Sequence, residues 1–200
     1  MLSDDETKEL KGKIIAQIES TYPAEKIPLI SPIAPTPKPL AKYTFAALAN
    51  YRPVPSQIDI DSEMFSQQNL TAHLAHYTTQ GKTMSLQIMV PNQATPSAGF
   101  PVILMLRGFV DPSIYETGIG TKNMARYLAD RGFVTLAPDF LGYGNSDNPP
   151  LDTMAARLEK PAQLLDLIGS LDTLPFINPS QLGMWGHSNG GQIALSLLEI

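Results

Sequence analysis

Leu182-Gly183-Met184-Trp185-Gly186-His187-Ser188-Asn189-Gly190-Gly191-Gln192-Ile193-Ala194 joins an apolar run to a second apolar pattern through a turn of the form Gly-x-Ser-x-Gly. Leu182 to Trp185 reads as a buried strand. From Gly190 the spacing of Ile193, Ala194, Leu197 and Leu198 predicts a helix with one apolar side. A serine between such a strand and such a helix sits on a tight, strained bend that pushes its hydroxyl out of the sheet. Gly186 and Gly190 flank it because side chains there would collide where strand and helix pack. The helix that follows aims its N-terminal dipole at the bend, which favours developing negative charge. This makes Ser188 the candidate nucleophile and the Asn189 N–H a candidate oxyanion donor.

Working back along the chain, Val102-Ile103-Leu104-Met105-Leu106 and Phe133-Val134-Thr135-Leu136-Ala137 are continuous apolar runs. They are expected as strands buried on both faces of a parallel sheet. Between them Thr121 is placed to cap a helix carrying Met124, Tyr127 and Leu128 inward and ending at Gly132. A mostly helical stretch over 151–172, broken at Pro161, precedes the strand at Leu182. Strand and helix thus alternate, as in an α/β protein with helices on both sheet faces. Further back, Leu70 to Thr79 and Thr83 to Val90 read as an antiparallel hairpin around Gln80-Gly81-Lys82. His73 and His76 lie three apart on its first strand, so they face opposite ways and make a poor metal pair. Residues 41–52 read as a small helix or loop.

Residues 7–20 read either as an amphipathic helix with Leu10, Ile14, Ile15 and Ile18 on one face or as a solvated leader. Pro23, Pro28, Pro32, Pro35, Pro37 and Pro39 then make an extended linker. The expected organisation is an extension and proline-rich linker over 1–40, followed by an α/β domain over 41–200.

In open α/β sheets, working residues gather beyond the carboxyl ends of the strands. After Leu106 comes Arg107-Gly108-Phe109. Gly108 lets the backbone approach a substrate, and the Phe109 N–H is the second candidate oxyanion donor. Arg107 reads as one partner of a structural salt bridge rather than as a carboxylate binder. Asp139, after the second strand, reads as a buried structural carboxylate accepting loop N–H bonds.

The Gly186–Gly191 turn, the run Pro101–Gly108 and Pro138-Asp139-Phe140-Leu141-Gly142-Tyr143-Gly144-Asn145-Ser146-Asp147 together resemble the α/β-hydrolase superfamily. Ser-Asn-Gly-Gly is most similar to catalytic domains of prolyl-oligopeptidase-like (S9 type) serine peptidases, and the whole is similar to dienelactone-hydrolase-like enzymes. The resemblance covers residues 70–200. It implies a Ser–Asp–His triad in that chain order, acting through an acyl-enzyme on Ser188 against a peptide or small ester. Arg107 stands where many relatives have the histidine of a His-Gly pair.

A serine hydroxyl needs a base and a group to orient that base. The chain has three histidines, His73, His76 and His187, none of them after Ser188. Glu199 is the only acid there. The triad acid and histidine are therefore read as absent, and the 200 residues as the front part of a longer product, inactive alone, with the β-strand at Trp185 left as an unpaired edge. A carboxylesterase of the same mechanism and a non-catalytic binding module are the alternatives.

Composition narrows the field. Hydrophobic residues make up 43% and charged ones 16%, enough for a core. The net charge of −5, with no basic run, argues against nucleic acid. Cysteine is absent, which excludes disulfides and thiolate metal sites. No segment approaches the roughly 20 apolar residues of a spanning helix, and the acidic start is unlike a signal peptide. The compartment is left open: cytoplasmic by default, exported or membrane-anchored if the N-terminus is truncated. No metal or organic cofactor is expected.

Overall fold

The computed structural model describes residues 4–21 and 38–200. The chain divides into two compact units, 1–38 and 39–200. In the first, helix α1 (Asp4–Thr21) carries Leu10, Ile14 and Ile15 exposed. The Ile18 side chain and the prolines from Pro23 to Pro37 lie outside the described residues.

The second unit is built on one six-stranded sheet. Its strands are β1 (Asp59–Ser66), β2 (Leu70–Thr79), β3 (Lys82–Pro91), β4 (Phe100–Leu106), β5 (Val134–Pro138) and β6 (Ile177–Gly186). They lie in the order β1-β2-β3-β5-β4-β6. The first three pairings are antiparallel and the last two parallel. Four strands (β2, β4, β5 and β6) therefore run one way and two the other. The β2–β3 hairpin turns through Gln80 and Gly81, both at positive φ. That is the two-residue turn whose twist matches paired strands. The sequence reading had no strand at β1, whose side chains are almost all exposed and show none of the alternation by which a half-buried strand is recognised.

Helices cover both faces. Helix α3 (Lys122–Ala129) packs its Ala125 and Ala129 against Leu70, Ala72, Met89, Met105 and Ala137. The opposite face is covered by α5 (Lys160–Gly169) and α6 (Asn189–Leu198), whose Leu164, Leu167 and Ile193 join a larger core around Leu86, Ile88, Leu104 and Leu136. Two short helices, α2 (Phe45–Leu48) and α4 (Thr153–Leu158), complete the set.

Two expected helix faces, one cap and one helix break are corrected. On α3 the inward stripe is Ala125, Leu128 and Ala129, while Met124 and Tyr127 are exposed. Alanines let the helix sit closer to the sheet than a Met–Tyr face would. Thr121 occupies the cap position of α3 but makes no capping bond; its hydroxyl donates back to the Gly118 carbonyl. On α6, Leu198 is 71% exposed. The break expected at Pro161 falls at Glu159, and Pro161 occupies the first turn of α5, where its missing N–H costs nothing.

Residues 51–58 form a strap along α5. Asp166, fully buried, accepts from the Tyr51 hydroxyl, the Val54 N–H and the Thr79 hydroxyl. Further along, the Ser56 and Ile58 N–H groups donate to the Ser170 and Thr173 hydroxyl oxygens. Each backbone donor that the irregular strap would otherwise bury is thus given an acceptor.

Candidate active site

Because β4, β5 and β6 are parallel, their carboxyl ends meet on one edge of the sheet. Leu106 pairs in register with Gly186, so the segments leaving β4 and β6 emerge side by side. The His187 N–H donates to the Leu106 carbonyl at 3.1 Å, tying the serine turn to the end of β4.

Ser188 itself has φ 52° and ψ −120°, a backbone state that side chains other than glycine rarely adopt. It is exposed and sits just before the first residue of α6. Its hydroxyl makes no hydrogen bond among the described residues. The two glycines around it are required by close approach. A Cβ at Gly186 would lie 2.7 Å from the Gly190 carbonyl oxygen, and one at Gly190 would run into the Leu106 carbonyl.

The loop after β4 lies against this turn. A Cβ at Gly108 would stand 3.3 Å from the Ser188 Cβ and 3.1 Å from His187 Nδ1. Arg107 holds that loop in place. It is buried, and its guanidinium donates to the Gly108 carbonyl at 3.0 Å and to the Asp139 main-chain carbonyl at 2.8 Å. In a trans peptide the C=O and the following N–H point in opposite directions. Drawing the Gly108 carbonyl inward to Arg107 therefore turns the Phe109 N–H away from the guanidinium. The N–H groups of Phe109 and Asn189 donate to no acceptor among the described residues, and Phe109 is 75% exposed.

The expected salt bridge of Arg107 is corrected: it ion-pairs with no carboxylate among the described residues. Its guanidinium carbon instead lies 4.5 Å from the centroid of the Tyr115 ring and 4.0 Å from that of Tyr143, and those rings meet edge to face. Cation–π contact and two carbonyl acceptors replace the anion.

Asp139 is structural in its surroundings, but its donors differ from those expected. Three hydroxyls rather than loop N–H groups point at its carboxylate: Ser85 at 2.5 Å, Tyr115 at 2.6 Å and Thr117 at 2.8 Å. Burial pushes its pKa above the ordinary 3.8, against the lowering effect of these bonds and of Arg107. A carboxyl whose folded pKa is raised is a net cost to the fold while ionised. That cost is removed as pH falls through the folded value. Burial likewise raises Glu159, so the comparison must isolate one group. The urea midpoint of the wild type, measured relative to Asp139→Asn, is expected to rise as pH falls from neutrality towards 3.8.

None of the histidines reaches Ser188. His73 and His76 lie on β2, four strand steps from β6, or about 19 Å at ordinary strand spacing. His76 is held by Asp61 at 2.8 Å on the other side of the sheet's centre. The His187 ring stacks on Trp185 at a centroid distance of 6.4 Å. Among the described residues there is no group of three or more His, Cys, Asp or Glu that could hold a metal, and no helix long and apolar enough to cross a membrane.

A cavity of about 560 Å³ opens beside the turn. It is lined by Phe109 and Asn189 together with Leu141, Tyr143, Arg157 and Lys160, among others. The two cations had no place in the sequence reading. Their spacing did not single them out, because the helix break at Glu159 falls between them, Arg157 lying in the last turn of α4 and Lys160 opening α5.

Residues 101–200 match the family described as alpha/beta hydrolase fold. Over 95 residues the chain is 34% identical to an uncharacterized protein of Mycobacterium tuberculosis, covering 48% of this chain and 24% of that one. Over 94 residues it is 33% identical to epoxide hydrolase 3 of Siraitia grosvenorii, covering 47% and 26%. The matched stretch thus spans about a quarter of the length of these curated relatives. An acetyl xylan esterase from Paenibacillus sp. R4 has a similar structure, with a TM-score of 0.58 at 17% identity over 76% of this chain and 52% of that one. The matched half begins at the first central strand and runs through the strained serine to the final helix: this chain belongs to the α/β-hydrolase fold family.

Proposed function

We propose that the protein is a serine hydrolase that forms an acyl-enzyme on Ser188. The observation that carries this reading is the positive φ of Ser188 at an exposed strand-to-helix bend. Strain of this kind costs about 1–3 kcal/mol and persists where the surroundings impose it. Ser188 Oγ attacks the carbonyl carbon of a substrate and gives its proton to a base. The carbonyl oxygen, now negative, accepts from the Asn189 and Phe109 N–H groups. Collapse of the tetrahedral species expels the protonated leaving group, and water then releases the acyl group by the same route.

The peptidase branch is the first substrate reading, supported by Ser-Asn-Gly-Gly at the turn. The esterase reading is supported by the cavity beside Asn189, whose walls include Phe109, Leu141, Tyr143 and Pro149, suited to a short acyl group. The histidine that activates Ser188 and the acid that orients it come, in this proposal, from sequence outside residues 1–200.

Fluorophosphonate labelling of the gene product isolated from its own host tests the nucleophile. An adduct on the peptide bearing Ser188 is expected, and labelling elsewhere or nowhere overturns the reading. Residues 1–200 by themselves are expected to hydrolyse p-nitrophenyl acetate no faster than Ser188→Ala.

A further inference from the structure

We infer that Lys160 and Arg157 form a subsite for a substrate carboxylate, so that the acyl compound taken by the Ser188 turn is an anionic ester or amide. The inference rests on the acyl-transfer reading above, which supplies the reason that the ligand carries a carbonyl. What it adds is charge.

Lys160 is half-buried at the start of α5 and lies 5.1 Å over the Phe140 ring. Among the described residues it pairs with no carboxylate. Burial above all disfavours its ammonium, Arg107 and Arg157 add to that, and Glu159 is the carboxylate that acts the other way. Glu159, its neighbour in sequence, is committed elsewhere. One of its oxygens accepts from Gln163 at 2.8 Å, and its side chain faces Lys42, Lys82 and Tyr43 in a separate hollow. Arg157 is exposed and, among the described residues, reaches only the Gln192 amide oxygen, at 3.4 Å.

Both cations line the 560 Å³ cavity that also holds Phe109 and Asn189, and no acidic residue lines it. In a chain of net charge −5, this is a local excess of positive charge beside the place where the reacting carbonyl would sit. A carboxylate there would relieve the mutual repulsion of Lys160 and Arg157 and replace the water that the half-buried ammonium has lost. The cavity has the size of an ordinary small-molecule site, large enough for a short chain bearing a carbonyl at one end and a carboxylate at the other.

Calorimetric titration of the Ser188→Ala chain with monomethyl glutarate and with dimethyl glutarate tests this without turnover. The two ligands share a skeleton and differ in one negative charge. The monoester is expected to bind at least about tenfold more tightly, the scale of one charge-assisted contact. Lys160→Met should remove most of that preference, adding Arg157→Gln should remove the rest, and Lys160→Arg should retain it. Equal binding of the two esters, or a preference that survives loss of both cations, overturns the subsite. Failure of fluorophosphonate labelling would remove the nucleophile reading and leave this binding result standing.

Discussion

Gly190→Ala is expected to cost about 4 kcal/mol or more and to leave little folded protein, while Gly191→Ala, one residue on, is tolerated. A methyl group at Gly190 would overlap the Leu106 carbonyl and stand 2.7 Å from the Arg107 carbonyl oxygen. Those atoms belong to the end of β4, a central strand whose side chains are fully buried here. Backbone cannot swing aside as a side chain tip can, so relief would mean separating α6 from the sheet. At Gly191 the nearest atom to an added methyl is 3.8 Å away, and alanine inside a helix is favoured over glycine by about 0.5–1 kcal/mol. Urea midpoints of the two variants make the comparison. If they match, α6 does not pack on β4 as described, and the serine bend has lost its support.

The second expectation concerns the bend itself. Ser188→Gly and Ser188→Ala should both lose all fluorophosphonate labelling, yet differ in stability. Alanine must still adopt φ 52° and keeps the strain. Glycine adopts it freely, so Ser188→Gly should be about 1 kcal/mol more stable than Ser188→Ala, after allowing for the greater freedom of glycine in the unfolded chain. In a domain of this size that is a Tm difference of about 2–4 °C. The strain would then belong to the backbone position, where any side chain has to bear it. Equal melting temperatures would mean that the turn holds no strain.

Much of this architecture was legible in residue patterns. The runs at Val102 and Val134 are apolar because strands covered on both faces have no wet side to mark, whereas the Leu182 run, expected to be buried, lies in the edge strand β6 and is only partly covered. Gly81 marks the hairpin because only a turn with positive φ closes two residues. The same rules miss β1, whose 61–65 segment, exposed up to Phe65, gains its pairing from β2 and not from its own pattern. They also misplace the α3 stripe by one position, because alanines carry little hydrophobic signal compared with Met124 and Tyr127. At the candidate site, Ser188, Gly186, Gly190 and Gly108 could be named because each answers a local steric demand. Arg107 could be named but not explained. Apart from the neighbouring Gly108 carbonyl, its partners are two ring faces and the Asp139 carbonyl from other loops, and no spacing rule encodes them. Lys160 and Arg157 stayed hidden for the same reason, since the cavity that unites them exists only after α4, the β5 exit loop and the serine turn have been brought together.

Arg107 also bears on how the site keeps its geometry. Tyr115 and Tyr143 come from two separate loops, and both rest on one flat guanidinium. A lysine there would keep the charge and lose the plane, leaving the two rings held only by each other and by the Asp139 and Val110 oxygens that their hydroxyls reach. The aim of one backbone donor therefore depends on the shape of this side chain as much as on its charge.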